Sequence, residues 1–431
     1  MVVTGRLALV ALFGAVVVGL LLPSIAGVLA VLGVLVAAAL LDAGTAGSVR
    51  TLRFERTGDS SVRLGTSAQV SLRVTNPGSR RVRGWLRDAW VPSAGVRADR
   101  VPLDLPAGQS RVVTTTLTPT RRGDRHPDRV TVRSLGPLGL AGRQGGHRVP
   151  WRLRALPPFE SRRHLPARLA RLRELDGRTA LMVRGAGTEF DSLREYVVGD
   201  DTRSIDWRAT ARSTEVVVRT WRPERDRHVL IVLDTGRTSA GRVGDAPKLD
   251  ASMDAALLLA ALAGRAGDRV DLLAYDRAVR AAVERPSPAE LLPQMVDAMA
   301  PVEPELLETD HRGLVTEVVR RAGRHSLVVL LTDLDSASVG DGLAPALPAL
   351  LHRHTLLVAS VHDPELTRLA TARSGAAEVY GAAAAEQDRR LRAEVAERLR
   401  RRGVHIVDAA PEAIAPQVAD TYLELKARGV L

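Results

Sequence analysis

A chain of 431 residues exceeds one ordinary domain core, so two or three folded units are expected. It contains no cysteine, which excludes disulfides, thiol nucleophiles and thiolate metal sites. The net charge is +12, but all basic residues except Lys248 and Lys426 are arginine, a pattern of GC-rich coding that gives little support to a nucleic-acid partner.

The excess charge is concentrated in residues 121–184, where sixteen arginines face five acids, Asp124, Asp128, Glu160, Glu174 and Asp176. Two readings stand: attraction to anionic membrane lipids or an acidic partner, or a solvated arginine-rich surface.

At the amino terminus, "LALVALFGAVVVGLLLPSIAGVLAVLGVLVAAALL" runs for 35 residues, Leu7 to Leu41, without a charge and with one break at Pro23 and Ser24. A spanning helix needs about 20 apolar residues, so residues 1–45 are expected to form two short transmembrane helices joined by a tight turn. Arg6 before the run and Arg50, Arg53 and Arg56 after it place both flanks in the cytoplasm, making a multi-pass plasma-membrane protein with most of its chain cytoplasmic. The competing reading, a cleaved secretory signal, calls for an apolar core of only about 7 to 15 residues.

Residues 51–155 alternate apolar and polar positions in short runs such as "QVSLRVTN" and "RVTVRSL", broken by "NPGS", "LPAGQ" and "GPLG". That pattern predicts a small antiparallel β-sandwich, with Trp85 and Trp90 assigned to its core in preference to a binding face. "ALPPFE" reads as a linker, and Leu165, Leu169, Leu172 and Leu175 recur at helical spacing in an amphipathic helix that covers another element.

Residues 156–226 form a distinct segment whose centre, "REYVVGDDTRSIDWRATARS", concentrates acids and arginines. Its Gly199–Asp201 turn is expected to cap a helix starting near Thr202, with Ile205 and Ala209 on one stripe, and "EVVVRTW" to lead into the carboxyl-terminal sheet. With no His or Cys, the block reads as a charge-paired joint between domains or as a docking surface formed by Asp200, Asp201, Arg203, Asp206, Trp207 and Arg212.

From 227 to 431 the pattern becomes α/β. "HVLIVLD", "SLVVLLTDLD" and "HTLLVASVHD" are continuous apolar strands alternating with helices, as in a doubly wound, mainly parallel sheet covered on both faces. Ligands of such sheets bind beyond the carboxyl ends of the strands, which singles out Asp234 and Asp333. With Thr238, with Asp335 beside Asp333, and with Thr309 and Asp310 from the intervening loop, these oxygens suit a hard cation such as Mg²⁺ or Mn²⁺; alternatively they cap the helices that follow.

The stretch "GTEFDSLREYVVGDDTRSIDWRATARSTEVVVRTWRPERD", Gly187 to Asp226, and the β/α order after it resemble the domain-of-unknown-function-58 family, with a von Willebrand factor A-like carboxyl domain. The apolar amino terminus and β-rich middle agree with it. The resemblance implies a membrane-anchored bacterial protein working with a MoxR-type AAA+ ATPase, with no established enzymatic activity. It also implies a metal-ion-dependent adhesion site at Asp234, Thr238, Thr309 and Asp333, from which Gly236 departs by lacking a hydroxyl.

Enzyme readings have weaker support. "DTG" at Asp234 lacks the second copy and all-β setting of aspartic proteases. Gly236 stands where a haloacid-dehalogenase phosphatase carries its second aspartate. No phosphate-binding GxxxxGK[ST] loop or small-molecule substrate site is evident. The expectation is a membrane-tethered interaction scaffold that works with the ATPase in assembly or maturation of other proteins; the alternative is a structural cell-envelope protein without metal or ATPase.

Overall fold

The computed structural model describes residues 1–21, 23–97, 100–182, 189–198, 200–222, 227–323, 325–335, 338–371 and 375–430. The chain divides into two compact units, Met1–Leu156 and Pro157–Leu431, with the division inside the segment read as a linker.

The first unit opens with two apolar helices, α1 (Gly5–Leu21) and α2 (Ile25–Thr45). The Ser24 hydroxyl accepts the Gly27 N–H at 3.2 Å and starts α2 where the Pro-Ser break predicts a turn. The helices pack closely, since a Cβ on Gly14 would lie 2.7 Å from Val31 Cγ1. Near the amino terminus, α2 is long and apolar enough to cross a membrane; α1, with 17 residues, is shorter.

Two antiparallel sheets follow. One orders Val2–Val3, Ala141–His147, Pro127–Leu135, Val82–Trp90 and Arg100–Leu105; the other orders Arg53–Gly58, Ala68–Thr75 and Ser110–Leu117. Alternation sets their faces: Ala68, Val70, Leu72 and Val74 all turn inward. Leu72 and Val74 share a core with Val82, Leu86, Leu103, Leu105, Val130 and Val132 of the other sheet. Arg56 bridges the sheets through bidentate bonds of 2.9 and 2.8 Å to Asp88, whose carboxylate also accepts the Trp90 indole N–H at 3.1 Å.

Two details differ from expectation. A third small sheet pairs Leu153–Leu156 with Ser61–Arg63 in parallel, so the unit is not wholly antiparallel. Trp90 is buried, but Trp85 is 50% exposed because it points away from the shared core.

In the second unit, α3 (Leu165–Met182) covers another element as its leucine spacing predicts, with Leu172 buried and Arg168 paired to Asp420 at 2.7 Å. The central sheet contains β1 (His228–Asp234), β2 (Arg269–Tyr275), β3 (Val279–Val283), β4 (Leu327–Leu331), β5 (Thr355–Val361) and β6 (His405–Ala409). Their order is β3-β2-β1-β4-β5-β6; every neighbouring pair is parallel except β2 with the edge strand β3.

Helices cover both faces. Leu230, Val232, Val328 and Leu330 pack toward α6 (His311–Arg321), α7 (Leu347–Leu351) and α8 (Ala376–Arg400), while α4 (Lys248–Arg265) packs with α5 (Leu291–Met299) and α9 (Pro411–Ala427). All seven residues of β1 are buried, which explains its uninterrupted apolar run.

Candidate functional site at the carboxyl edge of the sheet

Strand order reverses between β1 and β4, and the crevice beyond their carboxyl ends is where open α/β sheets place ligands. Asp234 closes β1, and Thr332 and Asp333 follow β4 directly. Asp234 Oδ1 accepts the Thr309 hydroxyl at 2.5 Å and the Gly236 N–H at 2.9 Å, while Oδ2 accepts the Thr332 hydroxyl at 2.6 Å. The loop carrying Thr309 is fixed on both sides: Arg237 N–H donates to the Leu307 carbonyl at 2.9 Å and Asp310 N–H to the Asp276 carbonyl at 2.8 Å.

Gly236 fits this loop for reasons of space. A Cβ there would stand 2.1 Å from Thr309 Oγ1 and 3.2 Å from Asp234 Oδ1, so Thr309 fills the volume a serine side chain would need. Thr238 lies half-buried on the turn Arg237–Ala240, where its carbonyl accepts the Gly241 N–H at 3.3 Å.

Asp333 has a different setting. Lys248, at the start of α4, donates to Oδ2 at 2.6 Å; Arg392, on α8, and the Ser360 hydroxyl donate to Oδ1 at 2.5 and 3.1 Å. Arg392 continues to Asp408 at 3.0 Å, beyond which His362 lies 3.6 Å away. Burial opposes ionisation of Asp333, but the Arg392 and Lys248 charges outweigh it and hold its carboxyl below the ordinary value.

These positions bear on the implied divalent ion. Asp234 and Thr309 meet, as the resemblance implies, but through a direct hydrogen bond. Asp333 does not fit a metal ligand as arranged, because two cations already neutralise a carboxylate whose lone pairs a hard ion would need. The capping alternative holds for Asp310, which accepts the N–H groups of Arg312 and Gly313 at the start of α6, each at 3.1 Å.

Sequence reasoning missed Thr332, Lys248, Ser360, Arg392 and Asp408. Thr332 precedes Asp333 in the same strand-end motif, and Lys248 is one of two lysines in a chain whose other cationic side chains of this kind are arginine. Both lysines are ion-paired to buried or nearly buried aspartates, Lys426 to Asp268 at 2.8 Å.

The acid- and arginine-rich block lies mostly between the two strands of a separate hairpin, Glu189–Glu195 and Val217–Arg222. Residues 187–188, 199 and 223–226 of the signature lie outside the described residues. The expected helix from Thr202 is instead a 3₁₀ turn, Thr202–Ser204, capped by Asp201, followed by a four-residue helix, Trp207–Thr210, capped by Asp206. Ile205 interrupts a continuous helix by bridging to Val218. Arg219 pairs with Asp206 at 2.7 Å, and Asp200 holds Arg194 at 2.6 Å. The strand after the block pairs within this two-stranded sheet and does not join the central one. Arg203 and Arg212 are exposed, as are Val198 and Trp207, at 95% and 69%.

The chain resembles uncharacterized proteins of Mycobacterium tuberculosis and Mycobacterium bovis, at 26% identity over 185 residues, 42% of this chain. It spans 57% of those relatives' length. Among solved structures, the CARDB domain of a Pyrococcus furiosus protein matches at 19% identity, covering 24% of this chain and 86% of that one with a TM-score of 0.17. A Listeria innocua beta-glucosidase matches at 14% identity over 24% of this chain and 16% of its own, also with a TM-score of 0.17; scores this low carry no argument about fold. The sequence model of a protein family of unknown function, DUF58, matches residues 192–407, which include most of the hairpin and nearly all of the central sheet. As that match covers half of the 431 residues, the chain belongs to the DUF58 family.

Proposed function

We propose that this chain is a membrane-anchored protein-interaction module that docks its partner on the carboxyl edge of the central sheet, in a von Willebrand factor A-like domain. The observation that carries this reading is the surface beside the site. Leu306 and Leu307, 76% and 51% exposed, lie on the loop that delivers Thr309 to Asp234. Adjacent exposed leucines beside a polar crevice are what a partner would cover. The exposed residues of the hairpin's connecting segment, Val198, Arg203, Trp207 and Arg212, offer a second docking area.

In this reading α1 and α2 form a two-span anchor and the remainder faces the cytoplasm. The family resemblance supplies the partner class, a MoxR-type AAA+ ATPase that would hydrolyse ATP while this chain presents or recruits client proteins. The test is affinity purification of the detergent-solubilised full chain with and without ATP, with mass spectrometry of what co-elutes. An AAA+ ATPase is expected in the eluate; its absence under every condition would favour a structural envelope protein.

A further inference from the structure

The edge that the resemblance marks for a divalent ion carries its own positive charge. Lys248 and Arg392 meet on Asp333 at 2.6 and 2.5 Å, and Arg392 also holds Asp408, so two carboxylates face two cations without any metal. The arrangement is built in: Lys248 projects from the first residue of α4 and Arg392 from α8, and both side chains are largely buried. On the β1 side, two threonine hydroxyls and a backbone N–H already occupy Asp234, and Thr309 takes the volume of the absent serine at Gly236.

We propose that the Lys248 ammonium, backed by Arg392, takes on Asp333 the place a divalent ion would need, making the carboxyl edge of this protein a metal-independent site. A bound Mg²⁺ or Mn²⁺ would have to displace Lys248 from Asp333 and the hydroxyls from Asp234, leaving a largely buried ammonium without its partner. Lysine suits this position because an ammonium is a compact point charge, whereas the planar guanidinium fork of arginine needs more room. That accounts for a lysine in a chain whose other basic residues, Lys426 excepted, are arginine.

The proposal concerns the same edge as the docking reading but does not depend on a partner, so each can fail alone. Mn²⁺ is titrated into the full chain in detergent micelles, and the free ion is followed by electron paramagnetic resonance. The wild type is expected to leave the aqueous Mn²⁺ signal unchanged to millimolar concentration. Lys248→Ala, and Lys248→Gln should the first variant fold poorly, are expected to acquire a stoichiometric Mn²⁺ site that Asp333→Asn in the same background removes. A wild-type chain that binds Mn²⁺ stoichiometrically and loses it in Asp234→Asn would overturn the proposal. So would a folded Lys248 variant that binds no more Mn²⁺ than the wild type.

Discussion

Gly236 and Thr309 compete for one small volume beside Asp234. Gly236→Ser forces a side chain to within 2.1 Å of the Thr309 hydroxyl, and such overpacking costs about 1–3 kcal/mol. Urea unfolding of the full chain should show that loss, and Thr309→Ala in the Gly236→Ser background should recover part of it. Asp333→Ala is expected to be worse, at about 3–5 kcal/mol, because it strands Lys248 and Arg392 together. An unfolding midpoint unchanged from the wild type would mean the pair is solvated and energetically idle. Asp234 and Asp333 were legible in the sequence because each ends an apolar run. Thr332 and Lys248 were not, because Thr332 lies 98 residues from Asp234 and Lys248 lies 85 from Asp333, separations that only the sheet's crossover brings together.

At the scale of elements, the amino edge of the sheet is tied by buried polar bonds. His228, which opens β1, lies 2.9 Å from both Asp271 on β2 and Ser326 before β4. Burial opposes ionisation of Asp271, but bonds from His228, Arg269 and the Arg285 N–H overcome it and bring its pKa from 3.8 to about 2. The folded value lies below the unfolded one, so this stabilisation is present above pH 3.8 and is lost as pH falls toward 2, an effect on the order of 2 kcal/mol. Burial lowers His354 and His405 below 6.5, so the unfolded chain takes up those protons first and stability also falls as pH drops below 6.5. Unfolding free energies measured across roughly pH 2 to 8 should therefore rise in two stages. A flat profile would show that neither the edge aspartate nor these histidines is coupled to folding. Continuous apolar strands made the sheet legible in the sequence, whereas the acid-rich block misled: its capping aspartates are real, but Ile205 pairs with Val218 and splits the expected helix into two short turns.

At the scale of the whole molecule, each unit has its own consequence. In the first, Asp42 near the end of α2 accepts the N–H groups of Leu138, Leu140 and Ala141 at 2.8, 2.7 and 2.9 Å, locking the helix to a turn of the β-rich part. Asp42→Ala leaves those donors without their acceptor, at about 1–3 kcal/mol, and hydrogen exchange at residues 138–141 should accelerate while the Leu72–Val132 core stays protected. Equal protection in both proteins would mean that water replaces the carboxylate at no cost. In the second unit, the central claim is that a partner docks on the carboxyl edge beside the Asp234 crevice. The direct test is to purify the detergent-solubilised wild type and a Leu306→Asp/Leu307→Asp variant in parallel and compare the AAA+ ATPase recovered with each. Those leucines are exposed, so the variant should unfold at the wild-type midpoint while ATPase recovery falls at least tenfold, a loss of about 1.4 kcal/mol or more in binding. Equal recovery with both proteins would place the partner elsewhere and contradict the account.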